Sequence, residues 1–327
     1  MNKNNIKDNQ KDSKKSHSKI IFMGTPEIAV PTLDILNENF DIQAVVTVPD
    51  KPKGRGLQMF SSPVKEHALS LGLKILQPIK MNDIDFIEKI RKIEPDIIIV
   101  FAFRILPPEI YNLAKIATFN IHTSLLPKYR GAAPINWAII NGETETGLTS
   151  FILNEKIDTG SILLQKVIDI PMFSTAGELH NLLMENAPQF TIDTCELLLG
   201  NYQLKNQNDN LATVAPKIFR QTAKIDWTKD AVTVANFING YSPIPCAWTI
   251  WNDTQLKIYH AKPIDRIDIF SKQNHTVGTF FIENKKLIIR CGTGFIEVFE
   301  LQQEGKKRVL AKDFVNGFRG EQTGIFQ

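Results

Sequence analysis

The sequence predicts an α/β fold, in which a Rossmann-like, doubly wound and mostly parallel sheet is followed by a smaller antiparallel β-barrel. Between residues 19 and 199, short runs rich in β-branched and aromatic residues alternate with amphipathic stretches, as strands joined by helices do. Beyond residue 245, five short β-rich runs follow one another with only turn residues between them, which is typical of a small barrel. At 327 residues the chain is also longer than most single cores, so we expect two domains.

The alternation assigns a stretch of chain to each element of the predicted sheet. Strands are predicted at 19–23, 42–48, 74–76, 97–103, 118–122, 149–153 and 162–170, and helices at 28–36, 63–71, 84–93, 108–113 and 176–199. Ser62 is expected to cap the second helix, because a serine hydroxyl accepts a hydrogen bond from a backbone N–H that would otherwise be unpaired. Pro63 suits the first position of that helix, because an N–H there would have no partner within the helix and proline has no N–H. Ligands of such sheets bind at the carboxyl ends of the strands, which is where His122 falls.

A polar stretch rich in Asn and Gln, residues 201–210, is followed by Pro216 and predicts a linker. We therefore expect a disordered tail at 1–18, the sheet domain at 19–203, a linker at 204–218 and the barrel domain at 219–327. The five barrel strands are predicted at 248–251, 255–260, 277–282, 285–290 and 295–301.

Composition excludes several classes of protein. Residues 1–18 are polar and lack both the apolar centre of a signal peptide and the arginines of a transit peptide. No run of about 18 apolar residues occurs, so we expect no membrane span and a location in the cytoplasm. Cys195, Cys246 and Cys291 are isolated, with neither an even number nor a C-x-x-C spacing, so neither a disulfide framework nor a zinc ribbon is expected.

Charge is distributed unevenly along the chain. Residues 19–205 carry 17 Lys and Arg against 21 Asp and Glu, whereas residues 219–327 carry 15 against 11. A basic carboxyl-terminal half is compatible with a polyanionic partner. An ordinary solvated surface explains the same numbers equally well, so charge alone leaves the partner open.

The segment Asn120-Ile121-His122 and the more distant Asp158 carry the most informative chemical groups. Alternate residues of a strand point to one side, so Asn120 and His122 share a face and lie about 7 Å apart along it. An amide can donate to a developing oxyanion, and an imidazole can exchange a proton near neutral pH. Asp158 can orient that imidazole or take a proton from an amine, so the combination predicts acyl-transfer chemistry. The alternatives are a hydrogen-bonded structural histidine and a turn aspartate that binds its own backbone.

Two glycine-containing segments raise the question of phosphate binding. Gly24 follows the first strand, but two of the three glycines of a dinucleotide fingerprint are absent, so we expect a tight turn and no nicotinamide site. Residues 51–56 form a basic loop, in which Lys51, Lys53 and Arg55 can reach the phosphates or base edges of a nucleic acid. On sequence alone, a solvated surface loop is the simpler explanation.

Seven motifs together resemble one known family in both order and spacing. They are FMGTPE at 22–27, KPKGRG at 51–56, NIHTSLLP at 120–127, RGAAP at 130–134, ETG at 145–147, DTG at 158–160 and IDW at 225–227. The set resembles the methionyl-tRNA formyltransferases, from about Lys19 nearly to the end of the chain. The Asn-x-His and Ser-Leu-Leu-Pro core is shared by all folate-dependent formyltransferases, so it specifies the reaction. The RGAAP segment, the basic loop and the second domain specify the acceptor.

The resemblance implies transfer of the formyl group of 10-formyltetrahydrofolate to the α-amino group of initiator methionyl-tRNA in translation initiation, by a monomer and without a metal. It implies a catalytic trio of Asn120, His122 and Asp158. The implied folate-binding segment is Ser124, Leu125, Leu126 and Pro127, and the implied tRNA-binding residues are Lys51, Lys53 and Arg55. The carboxyl-terminal barrel resembles an OB-fold that holds the tRNA from the other side.

The sequence departs from the family pattern beside the implied folate cleft. Thr123 stands where relatives usually have a smaller residue, and the segment 102–107 is one residue short and lacks a glycine. Four alternatives remain open. They are a formyltransferase for a small amine, either glycinamide ribonucleotide or an amino sugar nucleotide; a folate hydrolase; an RNA-binding protein with a vestigial enzyme fold; and a nicotinamide dehydrogenase.

Overall fold

A computed structural model describes residues 16–53, 58–264 and 275–327. The chain divides into two compact units. The first comprises the chain up to Ile121 together with Ile152–Glu155 and Ala187–Tyr202, and the second comprises His122–Phe151, Lys156–Asn186 and Gln203–Gln327. This division follows packing rather than order along the chain, so the domain boundaries expected near residues 203 and 219 stay a prediction.

The first unit is built on parallel strands joined by helices. Its strands are β1 (Ser16–Gly24), β2 (Phe40–Val46), β3 (Lys51–Lys53), β4 (Gln58–Phe60), β5 (Ile75–Leu76), β6 (Ile97–Phe101) and β7 (Ala117–His122), whose last residue opens the second unit. Its helices are α1 (Val30–Asn39), α2 (Pro63–Ser70), α3 (Ile84–Ile93) and α4 (Pro108–Tyr111). Strands β7, β6, β1, β2 and β5 lie side by side in that order, and each pair is parallel. The strand order reverses between β1 and β6, which confirms the predicted doubly wound sheet.

Local sequence signals account for the buried strands and the helix starts of this unit. Each residue of β6 is at most 4% exposed, because a parallel strand covered by helices on both faces has no solvent side. Ser62 caps α2 as predicted, since its hydroxyl accepts a hydrogen bond from the N–H of Lys65 at 3.1 Å. The Asp83 carboxylate caps α3 in the same way, accepting from the N–H of Phe86 at 2.9 Å.

The basic segment after β2 is a hairpin rather than a simple loop. Strands β3 and β4 pair in antiparallel fashion, with Lys51 opposite Phe60 and Pro52 opposite Met59. The prediction of a loop over residues 51–56 is therefore wrong for β3. The strand partner follows the basic residues and is only three residues long, so no local alternation indicates it. Arg55 lies outside the described residues.

The second unit begins with elements that follow β7. Its strands are β8 (Arg130–Gly131), β9 (Glu145–Ile152), β10 (Ile162–Asp169) and β11 (Val214–Ala215), and the helices of this part of the chain are α5 (Pro134–Ile140) and α6 (Ala176–Leu199). Strands β9 and β10 pair in antiparallel fashion, with Thr149 opposite Gln165. Helix α6 spans its predicted range, whereas β9 begins four residues earlier than predicted and α5 is not predicted at all.

The carboxyl-terminal strands form the predicted small antiparallel barrel. They are β12 (Ala247–Trp251), β13 (Thr254–Ile264), β14 (Thr279–Glu283), β15 (Lys286–Arg290), β16 (Phe295–Gln303), β17 (Val309–Leu310) and β18 (Thr323–Ile325). The order is β12-β13-β16-β15-β14-β18, and β17 pairs with β16. Gln327 exchanges two backbone hydrogen bonds with Ile250, at 3.0 and 2.9 Å, which brings the segment after β18 beside the first strand.

Two helices of this region escaped the sequence analysis, α7 (Ala231–Gly240) and α8 (Ala311–Gly317). The ten residues of α7 include two valines, a threonine, an isoleucine and a phenylalanine, which also favour strands. Its helical state follows from the Asp230 cap, whose carboxylate accepts from the N–H of Thr233 at 3.0 Å, and from packing, because Val234 and Ile238 join the apolar core of the barrel. Within the described ranges, no helix has the length and the apolar character that crossing a bilayer requires.

Candidate active site

Strand β7 carries two of the predicted catalytic residues. Asn120 is half-buried and His122 is 6% exposed. The two residues are separated by one position of an extended strand, so their side chains leave the same face of the sheet. Because ligands of doubly wound sheets bind beyond the carboxyl ends of the strands, the end of β7 is a suitable position for reactive groups.

The imidazole of His122 is held by a backbone carbonyl. Its Nε2 lies 2.8 Å from the carbonyl oxygen of Tyr129. A carbonyl can only accept, so Nε2 must carry a proton and donate it. In the neutral ring the lone pair then resides on Nδ1, and this nitrogen is the one that can gain or lose a proton.

Asp158 lies on the Nδ1 side of that ring. Its Oδ2 is 3.8 Å from Nδ1 of His122, and the two side chains are 13% and 7% exposed. The same oxygen accepts a hydrogen bond from the N–H of Gly131 at 2.8 Å. The backbone of Asp158 is left-handed, with φ of 53°, as its position in a tight turn requires. Asp158 is therefore a turn residue and also the neighbour of the imidazole.

Tyr129 anchors the loop that positions His122. Its hydroxyl donates to Oε1 of Glu143 at 2.6 Å and accepts from Nδ2 of Asn141 at 3.1 Å. Burial, together with the hydrogen bond to Glu143, raises the pKa of Tyr129 to about 12, so the phenol remains a donor at neutral pH. Nothing in the local sequence marks Tyr129 as part of the site, because its role depends on its backbone carbonyl.

The predicted folate-binding segment is tightly bonded within the fold. The hydroxyl of Ser124 donates to the Lys128 carbonyl at 2.6 Å, and the N–H of Leu126 donates to Oγ1 of Thr149 at 3.1 Å. Ser124 and Leu126 are buried, whereas Leu125 and Pro127 are half-buried. Leu125 and Pro127 are thus the members of this segment that present apolar surface, and the role of all four residues in binding folate stays a prediction.

Leu125 also explains the glycine of the ETG motif. A Cβ at Gly147 would lie 2.6 Å from Cδ2 of Leu125 and 2.1 Å from the carbonyl oxygen of Lys166. Any side chain at Gly147 would therefore displace Leu125 or open the pairing of β9 with β10.

A shallow cavity of the first unit was not apparent in the sequence. It has a volume of about 390 Å³ and is lined by Met81, Asn82, Ile105, Leu106, Pro107, Pro108, Tyr111 and Glu155. Its walls are mostly apolar, and the amide of Asn82 and the carboxylate of Glu155 lie among them. The segment 102–107, which departs from the family pattern, supplies three of these residues.

The three residues predicted to bind tRNA are less completely described. Lys51 is exposed on β3, the side chain of Lys53 lies outside the described residues, and so does Arg55. On the other strand of the hairpin, Met59 and Phe60 are 64% and 47% exposed, a feature that the sequence analysis missed. The hairpin therefore presents apolar side chains beside Lys51.

The described residues contain no cluster of three or more His, Cys, Asp and Glu that could hold a metal ion. Cys195, Cys246 and Cys291 are buried, free thiols. Burial raises the pKa of both Cys246 and Cys291 to about 12, so these thiols are not poised as nucleophiles.

Comparison with known proteins identifies the family. Residues 18–195 match the family model for formyl transferases, and residues 217–319 match the model for the formyl transferase carboxyl-terminal domain. The methionyl-tRNA formyltransferase of Clostridium novyi is 41% identical over 91% of this chain and 96% of its own length. That of Flavobacterium johnsoniae is 42% identical over the same shares of the two chains.

Solved structures share the fold at lower identity. A sugar 3N-formyl transferase, WlaRD, superposes with a TM-score of 0.64 at 22% identity, covering 89% of this chain and all of its own. The methionyl-tRNA formyltransferase from Clostridium thermocellum superposes with a TM-score of 0.54 at 20% identity, covering 75% of this chain and 93% of its own. Both family models and relatives of about 40% identity over nine tenths of the chain lead to one conclusion, namely that this protein belongs to the formyl transferase family.

Proposed function

We propose that this protein transfers the formyl group of 10-formyltetrahydrofolate to the α-amino group of initiator methionyl-tRNA. The observation that carries the proposal is the pairing of His122 with Asp158 at the end of β7. The relatives of about 40% identity that are named methionyl-tRNA formyltransferase support the choice of acceptor. We expect the protein to act as a monomer in the cytoplasm.

The reaction requires proton transfers at both of its ends. An α-amino group has a pKa of roughly 7.7 to 8.0, so near neutral pH part of it must lose a proton before it can attack. Attack of the amine nitrogen on the formyl carbon forms the new C–N bond and a tetrahedral oxyanion. Collapse of that intermediate breaks the bond to the folate nitrogen, which leaves with a proton.

His122 is suited to move these protons through Nδ1. Because Nε2–H is engaged by the carbonyl of Tyr129, the lone pair of neutral His122 faces the region next to Asp158. Nδ1 takes the proton of the amine, and the carboxylate stabilises the imidazolium that results. The same proton can then go to the departing folate nitrogen. The interatomic separation of 3.8 Å is longer than a hydrogen bond, and such contacts often tighten when substrate binds.

Asn120 is suited to stabilise the oxyanion. Its side chain leaves β7 on the same face as His122 and carries N–H donors. A positioned donor of this kind typically accounts for a factor of roughly 10² to 10³ in turnover. In this arrangement the amide serves the oxygen of the intermediate, and the imidazole serves its two nitrogens.

The two substrates have separate candidate surfaces. Leu125 and Pro127, the half-buried residues of the predicted folate-binding segment, are candidates for holding the folate. Lys51, Lys53 and Arg55, the basic residues predicted from the sequence, are candidates for contacting the tRNA acceptor arm. The excess of Lys and Arg over Asp and Glu in residues 219–327 supports tRNA binding by the barrel as well.

An acceptor competition tests the proposal. The protein is incubated with 10-formyltetrahydrofolate and with charged initiator tRNA, glycinamide ribonucleotide or an amino sugar nucleotide, and formylated products are separated. We expect the formyl group on methionyl-tRNA. Formylation of a small amine alone would replace the proposed acceptor, and release of formate without any formylated acceptor would favour a folate hydrolase.

A further inference from the structure

The segment expected to be a linker is bonded to the candidate active site along much of its length. Lys205 exchanges two backbone hydrogen bonds with Ile162, at 2.8 and 3.0 Å. Further along, β11 pairs with β8, and the N–H of Arg130 donates to the carbonyl of Thr213 at 2.9 Å. We call residues 203–216 the connector. All of these contacts lie within the second unit.

Gln207 of the connector reaches the turn that carries Asp158. Its Nε2 donates to the carbonyl oxygen of Asp158 at 2.9 Å and to that of Gly160 at 2.8 Å. The first carbonyl belongs to the left-handed residue itself, whose φ is 53°, and the second lies two residues further along the chain. A non-glycine residue in that region is strained by roughly 1 to 3 kcal/mol and persists only where its surroundings hold it. One amide therefore holds two carbonyls of this turn, including that of the strained residue.

Arg130 fixes the orientation of that amide. Its Nε and one terminal nitrogen donate to Oε1 of Gln207, at 3.1 and 2.8 Å. Guanidinium groups only donate and carbonyls only accept, so Oε1 must face Arg130 and Nε2 must face the turn. The side chain of Arg130 is 15% exposed, which keeps this bond out of bulk water.

The connector also supports the carboxylate of Asp158, through Gly131. The N–H of Gly131 donates to Oδ2 of Asp158 at 2.8 Å, and Gly131 itself pairs with Ala215. The backbones of Gly131 and Ala215 lie so close together that a Cβ on Gly131, whose φ is 126°, would be 2.7 Å from the carbonyl oxygen of Ala215. The backbone and the side chain of Asp158 are thus both held, directly or indirectly, by the connector.

We propose that Gln207 is a positioning residue for formyl transfer, which holds the Asp158 turn so that its carboxylate stays beside Nδ1 of His122. The inference rests on the proposed catalytic role of Asp158. A displacement of about 1 Å in a catalytic group can slow a reaction by roughly 10²-fold. Gln207 therefore acts on the reaction through Asp158, without contact with either substrate.

Gln207→Glu is the sharpest test, because it preserves side-chain volume while it replaces the donating amide with a carboxylate that only accepts. The carboxylate still accepts from Arg130, now as an ion pair, so the fold should be retained. It has no N–H, so both hydrogen bonds to the turn are lost. We expect kcat to fall by roughly 10- to 100-fold, with KM for folate and for tRNA within about twofold of wild type. Gln203→Glu is the matched control, since Gln203 is an exposed residue of the same connector and should keep wild-type kcat.

A double-mutant cycle separates positioning from general damage. In an Asp158→Asn background, Gln207→Glu should have less than about a twofold further effect on kcat, because it acts through the side chain already replaced. Thermal melting and circular dichroism establish that each variant is folded. Full additivity of the two effects, or wild-type kcat in folded Gln207→Glu, would overturn the inference. Wild-type turnover in Asp158→Asn alone would instead overturn the catalytic role of Asp158, so the two failures are distinguishable.

Discussion

Replacing Asp158 with Asn removes one negative charge and little else. The amide oxygen, in the position of Oδ2, can still accept the hydrogen bond from the N–H of Gly131, and the same atom stays beside Nδ1 of His122. The turn and the packing are therefore expected to survive. What is lost is the stabilisation of the imidazolium form, which the proposed mechanism needs after His122 has taken the proton of the amine.

The structure sets the size of that loss. Two unit charges 3.8 Å apart interact by about 4 kcal/mol at an effective dielectric constant of about 20. Both side chains are largely shielded from water, at 13% and 7% exposure, so solvent screens the pair little. Since about 1.4 kcal/mol corresponds to a factor of ten, the complete loss would slow the step by roughly 10³-fold. The dipole of the asparagine amide recovers part of the lost electrostatic stabilisation, so we expect turnover to fall by roughly 10²- to 10³-fold.

Single-turnover formylation measures this effect without interference from product release. Enzyme in excess is mixed with methionyl-tRNA and saturating 10-formyltetrahydrofolate, and formylated methionyl-tRNA is followed with time. Asp169→Asn provides the matched control, because Asp169 is an exposed residue of β10 and the change is chemically the same. A rate for Asp158→Asn within threefold of wild type would refute the electrostatic reasoning and leave Asp158 as a turn residue.

Three further predictions follow from separate parts of the chain. Asn120→Ala should lower turnover by roughly 10²- to 10³-fold while folate affinity stays within about twofold, because the oxyanion exists only during the reaction. Steady-state rates and an equilibrium titration with folate measure the two quantities, and unchanged turnover would remove Asn120 from the mechanism. Arg55→Ala should weaken tRNA binding and reduce by about one the slope of log affinity against log salt concentration, because one fewer phosphate is neutralised. Binding measured over a series of salt concentrations gives this slope, and an unaltered slope would argue against that contact. Asp230→Ala should lower the free energy of unfolding by about 1 kcal/mol in urea denaturation, through loss of the α7 cap. Hydrogen bonds from the hydroxyl and the N–H of Thr233 hold the pKa of Asp230 in the folded protein below 3.8. The difference in the free energy of unfolding between wild type and variant should therefore be complete above pH 3.8 and vanish as the pH falls through the lower pKa of the folded state. A difference that is the same at pH 2 and pH 7 would contradict the cap assignment.

Local signals were sufficient for much of the fold. Helix α3 begins and ends at its predicted residues because its apolar face recurs with helical spacing and Asp83 supplies a cap. Strand β6 could be predicted from five consecutive apolar residues before the Arg104 region, since a parallel strand has no solvent face. These features depend on residues a few positions apart, and the chain displays them directly.

Other elements depend on partners far along the chain. Strand β11 exists because it pairs with β8, and both are too short to show a periodic pattern. The predicted linker, residues 204–218, likewise shows no periodic pattern, and its polar residues give no sign that Gln207 bonds with a turn 49 residues earlier. Helix α7 was missed because half of its residues are β-branched or aromatic and favour a strand, and its packing on the barrel core is not visible in the sequence.

The sequence by itself determined the alternation of the main strands and helices of the parallel sheet and the presence of an amide, an imidazole and a carboxylate in family-specific motifs, because these follow from residue type and short-range spacing. Tertiary structure decided which nitrogen of His122 carries the exchangeable proton, since that depends on the carbonyl of Tyr129 and on the carboxylate of Asp158 arriving on opposite sides of one ring. Proton positions are set by through-space contacts at a few ångströms, and no periodicity along a chain encodes them.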